Sequence, residues 1–323
     1  MDSINLNLIL ILIATRWWTM KKTILATMLT SLFAATAAHS ATVYDANGTT
    51  FEVYGDVEVQ AKKGTEDNSS KIINIDDADF GFKAGYDIGH GVTAIGVVEM
   101  NGEDGEEIAL DDAYVGLSSA QWGTVTAGQQ LTISDDIGIG NDYEFGIDTS
   151  HNSITEGKQV VKYTLDKGNY YGGISYLVNT GTAADAQDSL DAKLGARLGG
   201  LDLTVFYTNT DQGAYDSETV LLEARYAFED LELAASVAST DNDSGADDAT
   251  SFGLAAVYTV DKMAYSAAWS LVDTDNSGVD DVNKYFVNAA YSFNSNVKAY
   301  VELAGNDIDD SEIGYAAGMA VTF

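Results

Sequence analysis

Cysteine and proline are both missing from the 323-residue chain. Without cysteine there is no disulfide framework, so an exported chain must be held by a large core or a closed hydrogen-bond network. Proline breaks β-ladders, so its absence suits a chain that is nearly all strand. Basic residues are scarce: 16 Lys and Arg face 50 Asp and Glu, a formal charge of −34. Phosphate backbones are repelled by such a surface, which excludes nucleic acid as a partner. Past residue 40 no apolar run is long enough for a membrane-spanning helix, so any membrane crossing must use strands.

The first 40 residues differ from the rest. Met20-Lys21-Lys22 opens a basic segment, an apolar run follows from Ile24 to Ala35, and Ala37-Ala38-His39-Ser40 ends it with small residues. This is the layout of a secretory signal peptide over 20–40, cleaved after Ser40. An N-terminal anchor is the alternative, but the run is short for a span. Residues 1–19, with Asp2 and a second apolar run from Leu8 to Ala14, read as an over-extended start ahead of Met20. Residues 1–40 hold Arg16, Lys21, Lys22 and Asp2, so 13 basic and 49 acidic residues lie beyond them, a charge of −36 on a single domain, 41–323.

The chain's final segment alternates: Ile313, Tyr315, Ala317, Met319, Val321 and Phe323 share one parity. Period-two alternation marks a strand with one apolar face. The same unit recurs from Thr50 onward. It predicts sixteen strands over 50–61, 78–88, 91–101, 108–119, 122–130, 157–166, 169–179, 190–199, 201–210, 218–228, 231–240, 250–260, 263–273, 284–294, 297–306 and 312–323. Tight turns such as Gly89-His90-Gly91 and Asp261-Lys262 mostly alternate with long acidic loops, the longest being 131–156. Phe51, Val53, Val57 and Val59 oppose Glu52, Tyr54, Asp56, Glu58 and Gln60, an apolar-out, polar-in pattern. The expectation is an all-β, 16-stranded antiparallel transmembrane barrel; a soluble β-sandwich or repeat stack is the alternative. Tyr170, Tyr171, Tyr207, Tyr226, Phe228, Tyr258, Tyr285, Phe286, Tyr291 and Phe293 are candidates for an interfacial girdle.

Several stretches together resemble the general, trimeric porins of Gram-negative outer membranes, especially those of marine and vibrio-like bacteria. They are Tyr44-Asp-Ala-Asn-Gly48, Phe51-Glu-Val-Tyr-Gly55, Asp79-Phe-Gly-Phe-Lys83, Ala113-Tyr-Val-Gly-Leu117, Trp122-Gly-Thr-Val-Thr-Ala-Gly128, Glu144-Phe-Gly146 and the terminal Phe323, the counterpart of the family's assembly signal. The resemblance covers essentially all of 41–323. It implies that 131–156, after the fifth expected strand, folds into the pore as a constriction loop, with Asp135, Asp136, Asp142, Glu144 and Asp148 as its acids. It also implies a facing ladder of basic residues, and there the chain departs from the family. Asp56, Asp79, Asp111 and Glu156 occupy the expected basic positions, Glu99 keeps an acidic one, and Tyr143 replaces a usual proline. Carboxylates on both sides of a passage concentrate cations and exclude anions.

No catalytic constellation emerges. The neighbouring acids Asp76-Asp77, Asp111-Asp112 and Asp135-Asp136 are expected on opposite faces, as alternation in a strand dictates. His90 and His151 lack partner patterns. Asp273-x-Asp275-x-Ser277-Gly278 begins like a calcium loop, but Lys284 stands at the closing position, so no specific metal site is expected. Loose Ca²⁺ or Mg²⁺ association with the acidic loops 241–249 and 274–283, bridging them to anionic lipid headgroups, is the only cofactor reading, and outer-membrane lipid and lipopolysaccharide are the expected surroundings. The expected function is passive diffusion of small hydrophilic solutes and ions through a cation-selective pore. The resemblance implies a homotrimer in the outer membrane. Alternatives are a substrate-selective channel, for example for sugars, and a secreted acidic calcium-binding or adhesive β-protein.

Overall fold

A computed structural model describes residues 40–102, 107–147, 153–178, 187–213, 216–243, 248–274 and 280–323. The expected leader up to His39, together with Asp148, His151 and the stretch Asp275–Gly278, lies outside the described residues. The alternating segments become seventeen strands: β1 (Ala41–Ala46), β2 (Thr49–Lys63), β3 (Ile72–Gly89), β4 (Val92–Asn101), β5 (Ala109–Ser119), β6 (Gly123–Leu131), β7 (Glu156–Asp166), β8 (Tyr170–Leu177), β9 (Asp188–Leu198), β10 (Leu201–Asp211), β11 (Asp216–Phe228), β12 (Leu231–Asn242), β13 (Ala249–Val260), β14 (Met263–Thr274), β15 (Val282–Asn294), β16 (Val297–Asn306) and β17 (Gly314–Thr322). From β2 to β17 each strand pairs antiparallel with the next, and β17 returns to β2, which closes a 16-stranded barrel. Among the described residues, closure gives every strand from β2 to β17 a partner on both sides, which stands in for the missing disulfides.

The extra strand is β1. Asn47 (φ 55°) and Gly48 (φ 75°) turn it back on β2 as a tight hairpin. It pairs with Thr49–Val53, while β17 pairs with Asp56–Lys63 of the same strand, so β1 continues the line of β17 along β2. At the junction Gly55 and Phe323 exchange both backbone hydrogen bonds, at 2.8 and 2.9 Å. A Cβ on Gly55 would lie 2.4 Å from the Asp79 carbonyl oxygen and 3.0 Å from the Phe323 ring. Gly55→Val is therefore expected to loosen the seam by about 1–3 kcal/mol, the usual cost of overpacking. The readout is a lower temperature for the unfolding shift on a detergent gel; an unchanged temperature refutes the seam argument.

In β11, Ser217, Thr219, Leu221 and Glu223 are buried while Val220, Leu222, Tyr226 and Phe228 are exposed. Apart from Leu221, which packs against Ile133 of the segment after β6, the apolar side chains point out and the polar ones in, as a barrel in lipid requires. Tyr170, Tyr226, Phe228, Tyr258, Tyr285, Tyr291 and Phe293 are exposed as a girdle demands. Tyr171 and Phe286 are not: Tyr171 turns inward to hydrogen-bond Asp202, and Phe286 is 1% exposed against Ile139. Their positions in the strands have lumenal parity, which outweighs any aromatic preference for the interface.

Candidate functional site

The segment between β6 and β7 enters the barrel because it carries its own apolar face. Ile133 and Ile139 are each 1% exposed, packed against Phe206 and Leu221 and against Phe286 and Ala304 respectively. The loop then runs around the inner wall, fastened strand by strand. Ile133 N donates to Ser175 Oγ on β8 (2.8 Å), and Lys193 on β9 pairs with Asp136. Gly138 N donates to Glu223 Oε1 on β11 (2.8 Å), and Asn141 Nδ2 donates to Ser266 Oγ on β14 (2.8 Å).

At the tip Glu302 of β16, 1% exposed, accepts three consecutive backbone N–H groups, from Tyr143 (2.9 Å), Glu144 (3.1 Å) and Phe145 (2.9 Å), and a fourth bond from Asn288 Nδ2 (2.8 Å). Tyr143 stacks on Tyr300 at 4.2 Å, with the Lys298 ammonium 4.9 Å from its ring centroid. Glu144 accepts from Gln60 Nε2 (2.7 Å) and Lys62 Nζ (2.9 Å) on β2.

The belt thus covers the wall from β8 round to β2 and leaves the β2–β7 wall facing it. That bare wall is acidic. Asp56 and Asp79 are direct cross-strand partners. Carboxylate oxygens of Asp79, Glu99 and Asp111 lie within 4.8 Å of one another, and Glu99 is hydrogen-bonded to the Tyr54 hydroxyl. Among the described residues this is the one grouping of three acids close enough to share a cation, and its all-oxygen chemistry suits a hard ion.

Two irregularities enlarge the cluster and correct the expected alternation. In the β4–β5 ladder Val98 pairs with Ala113 and Met100 with Leu110, so Glu99 alone stands opposite both Asp111 and Asp112. In the β2–β3 ladder Glu58 pairs with Asp77 and Val59 with Ile75, leaving Asp76 as the extra residue. A bulge puts consecutive side chains on one face. Asp112 therefore sits beside Glu99 and Asp111, Asp77 beside Asp56, and Asp76 reaches Lys62 at 3.4 Å. The third neighbouring pair, Asp135-Asp136, lies on the short helical turn Ser134–Asp136 rather than on a strand, and its two carboxylates also lie near each other.

The loop side differs from the wall. Asp136 and Glu144 are held by Lys193 and Lys62, so they turn toward the wall behind the belt. Asp135 lies near Asp136, Lys162 and Glu156, and Asp142 near Glu302. The acidity of the passage is therefore concentrated on β2–β5, with Asp135, Asp142 and Glu156 adding to it.

Burial first, then neighbouring Asp136, raises the Asp135 carboxyl above its ordinary value; burial, then Glu302, raises Asp142. A raised carboxyl is charged only above its raised value. Its attraction for cations is complete at alkaline pH and fades as pH falls. The folded loop favours the neutral forms, so acidification relieves strain there rather than adding it. The zero-current potential in a salt gradient is expected to decline on acidification from pH 8, beginning above the ordinary carboxylate range near about pH 4. A potential flat down to that range refutes this.

The sequence reading missed Glu302, Asn288, Glu223, Lys62 and Lys193, which fasten the belt, and Asp77 and Asp112 on the wall. The inward parity of Glu302 in its strand marks it as a lumenal acid, but nothing in the sequence names the groups that it holds.

Comparison with known proteins agrees with this geometry. The family model described as Gram-negative porin matches residues 25–311. Porin-like protein H of Photobacterium profundum is 32% identical over 332 aligned positions, covering 94% of this chain and 100% of that protein. Among solved structures, the trimer form of OmpT from Vibrio cholerae superposes with a TM-score of 0.74 at 17% identity, covering 86% of this chain and 100% of that one. An anion-selective porin from Comamonas acidovorans superposes at 0.70 and 15% identity, covering 85% of this chain and 100% of that one. At such identities the likeness is one of fold, and the last example has a barrel of this type with anion preference, so selectivity has to be read from the lining residues.

Proposed function

This chain belongs to the Gram-negative porin family and lies in the outer membrane as a passive channel, not an enzyme, and from that premise we propose that its passage favours cations and admits small hydrophilic solutes. The observation that carries the reading is the crowd of carboxylates at Asp56, Asp79, Glu99, Asp111 and Asp112 opposite a belt whose Asp136 and Glu144 are paired with lysines. A permeating anion must leave water against that field, whereas a cation is drawn into it. Asp135, Asp142 and Glu156 extend the same potential along the passage. A homotrimer is proposed as well, supported by the family and by the trimeric OmpT neighbour.

Purified protein in planar bilayers is expected to give stepwise ohmic currents and, in a KCl gradient, a zero-current potential of the cation-selective sign. A potential of the opposite sign, or none, ends the selectivity proposal. A second reading, selectivity for a class of neutral solute, is supported by one specific feature beside the loop tip.

A further inference from the structure

The segment from Gly64 to Lys71 joins β2 to β3 and runs beside the ends of β15 and β16. Between this strap and the loop tip at Glu144–Gly146 the wall opens into a recess of about 420 Å³, within the range of roughly 300–1,000 Å³ typical of small-molecule sites. It lies at the mouth formed by the longer loops, immediately before the narrowed passage. Resting on the reading of the chain as a diffusion channel, we infer that this recess is a weak, transient binding site for a small, neutral, polyhydroxylated solute of monosaccharide size.

The charge of the lining comes first. Two lysines, Lys62 and Lys284, and two glutamates, Glu66 and Glu144, contribute, so the recess is balanced in a chain of formal charge −34. Lys62 is already engaged by Glu144 at 2.9 Å and by Asp76 at 3.4 Å. A charged solute would have to displace those partners and lose its own hydration. A hydroxyl-bearing one adds hydrogen bonds to the pair as it stands, and bonds to charged groups are the stronger kind.

The rest of the polar lining suits the same chemistry. Thr65, Ser69 and Ser70 offer hydroxyls, and Asn306 an amide, groups that both donate and accept. Ser69 Oγ accepts the Gly64 N–H at 3.0 Å, which leaves its own hydrogen to donate. Adjacent sugar hydroxyls are likewise donor and acceptor at once.

The recess is also preformed. Glu312 N donates to Thr65 O at 2.7 Å, Asn306 Nδ2 to Thr65 Oγ1 at 3.2 Å, and Lys63 pairs with Glu312, so the strap is pinned to the rim before any solute arrives. Pre-organisation lowers the cost of binding. Weak binding at a mouth raises local concentration without trapping the solute, the condition for useful conduction.

The test is open-channel current noise from the purified full-length protein in planar bilayers at fixed KCl, with D-glucose or L-alanine added. Glucose is expected to produce saturable excess noise beyond its effect on viscosity, and alanine, a zwitterion, much less. Ser70→Trp fills the recess, and the double variant Thr65→Val with Ser69→Ala removes hydroxyls. Each is expected to cut the glucose-dependent noise, normalised to its own KCl current, by about threefold or more, while Ser295→Ala at the opposite rim retains it. Glucose acting through viscosity alone, variants matching the wild type, or alanine exceeding glucose would each overturn the site. Absence of any KCl current from the wild type would instead overturn the channel reading beneath it.

Discussion

Replacing Asp56, Asp79, Glu99 and Asp111 together by Asn, Asn, Gln and Asn is expected to lower the cation-to-anion permeability ratio by about tenfold. Two unit charges 4 Å apart in bulk water interact by about 1 kcal/mol, and more where protein displaces water. Ionic screening at physiological strength acts over about 8 Å, whereas the oxygens of Asp79, Glu99 and Asp111 share a space only 4.8 Å across. A permeating ion therefore meets several of these charges inside one screening length. Tenfold corresponds to about 1.4 kcal/mol, well within what four carboxylates supply. The substitutions are near-isosteric, so the ladder and the passage width are expected to stay as they are. The measurement is the zero-current potential of wild type and variant in the same KCl gradient; equal potentials would place the selectivity elsewhere. Neutralising Asp136 and Glu144 instead is expected to have the smaller effect, because Lys193 and Lys62 already balance them.

Glu302→Ala is expected to release the loop tip. The carboxylate holds the N–H groups of Tyr143, Glu144 and Phe145 and the amide of Asn288. Hydrogen bonds to a charged group contribute about 1.5–3 kcal/mol each, and orphaned buried donors cost more. Losing four of them outweighs what the Tyr143–Tyr300 stack and the Lys62–Glu144 pair retain at the tip. The barrel ladder is untouched, so resistance to unfolding in detergent is expected to persist. Single-channel conductance is expected to rise and scatter, and liposomes are expected to swell with larger sugars than the wild type admits. Glu302→Gln keeps an acceptor but turns an amide NH₂ toward donors, which predicts an intermediate phenotype. Wild-type conductance and size cut-off in Glu302→Ala would remove the anchor role.

Much of the barrel was legible because its signal is one-dimensional. Alternation such as Ile313 to Phe323 fixes which side chains face lipid, and the absence of proline removes ambiguity about interruptions. The strand β1 was equally legible in Asn47-Gly48, a strong hairpin dipeptide, and was overlooked because Ala41–Ala46 is short. The bulges were not legible: nothing local in Asp111-Asp112 says that Glu99 stands opposite both, since that depends on the register of β4. Nor was the belt's fastening, because Glu302 lies 157 to 159 positions from the groups it holds. The isoleucines at 133, 137 and 139 carried the missing hint, since apolar side chains have no reason to sit in a freely solvated loop.

Those two bulges have a consequence for how the passage can change over time. Removing Asp76, or one of Asp111 and Asp112, would restore a regular ladder with one inward carboxylate fewer and leave the pairing on either side unchanged. Insertions and deletions of one codon at these two points are thus steps that alter ionic preference without exchanging any amino acid, a route to divergence that comparison of residue identities alone would overlook.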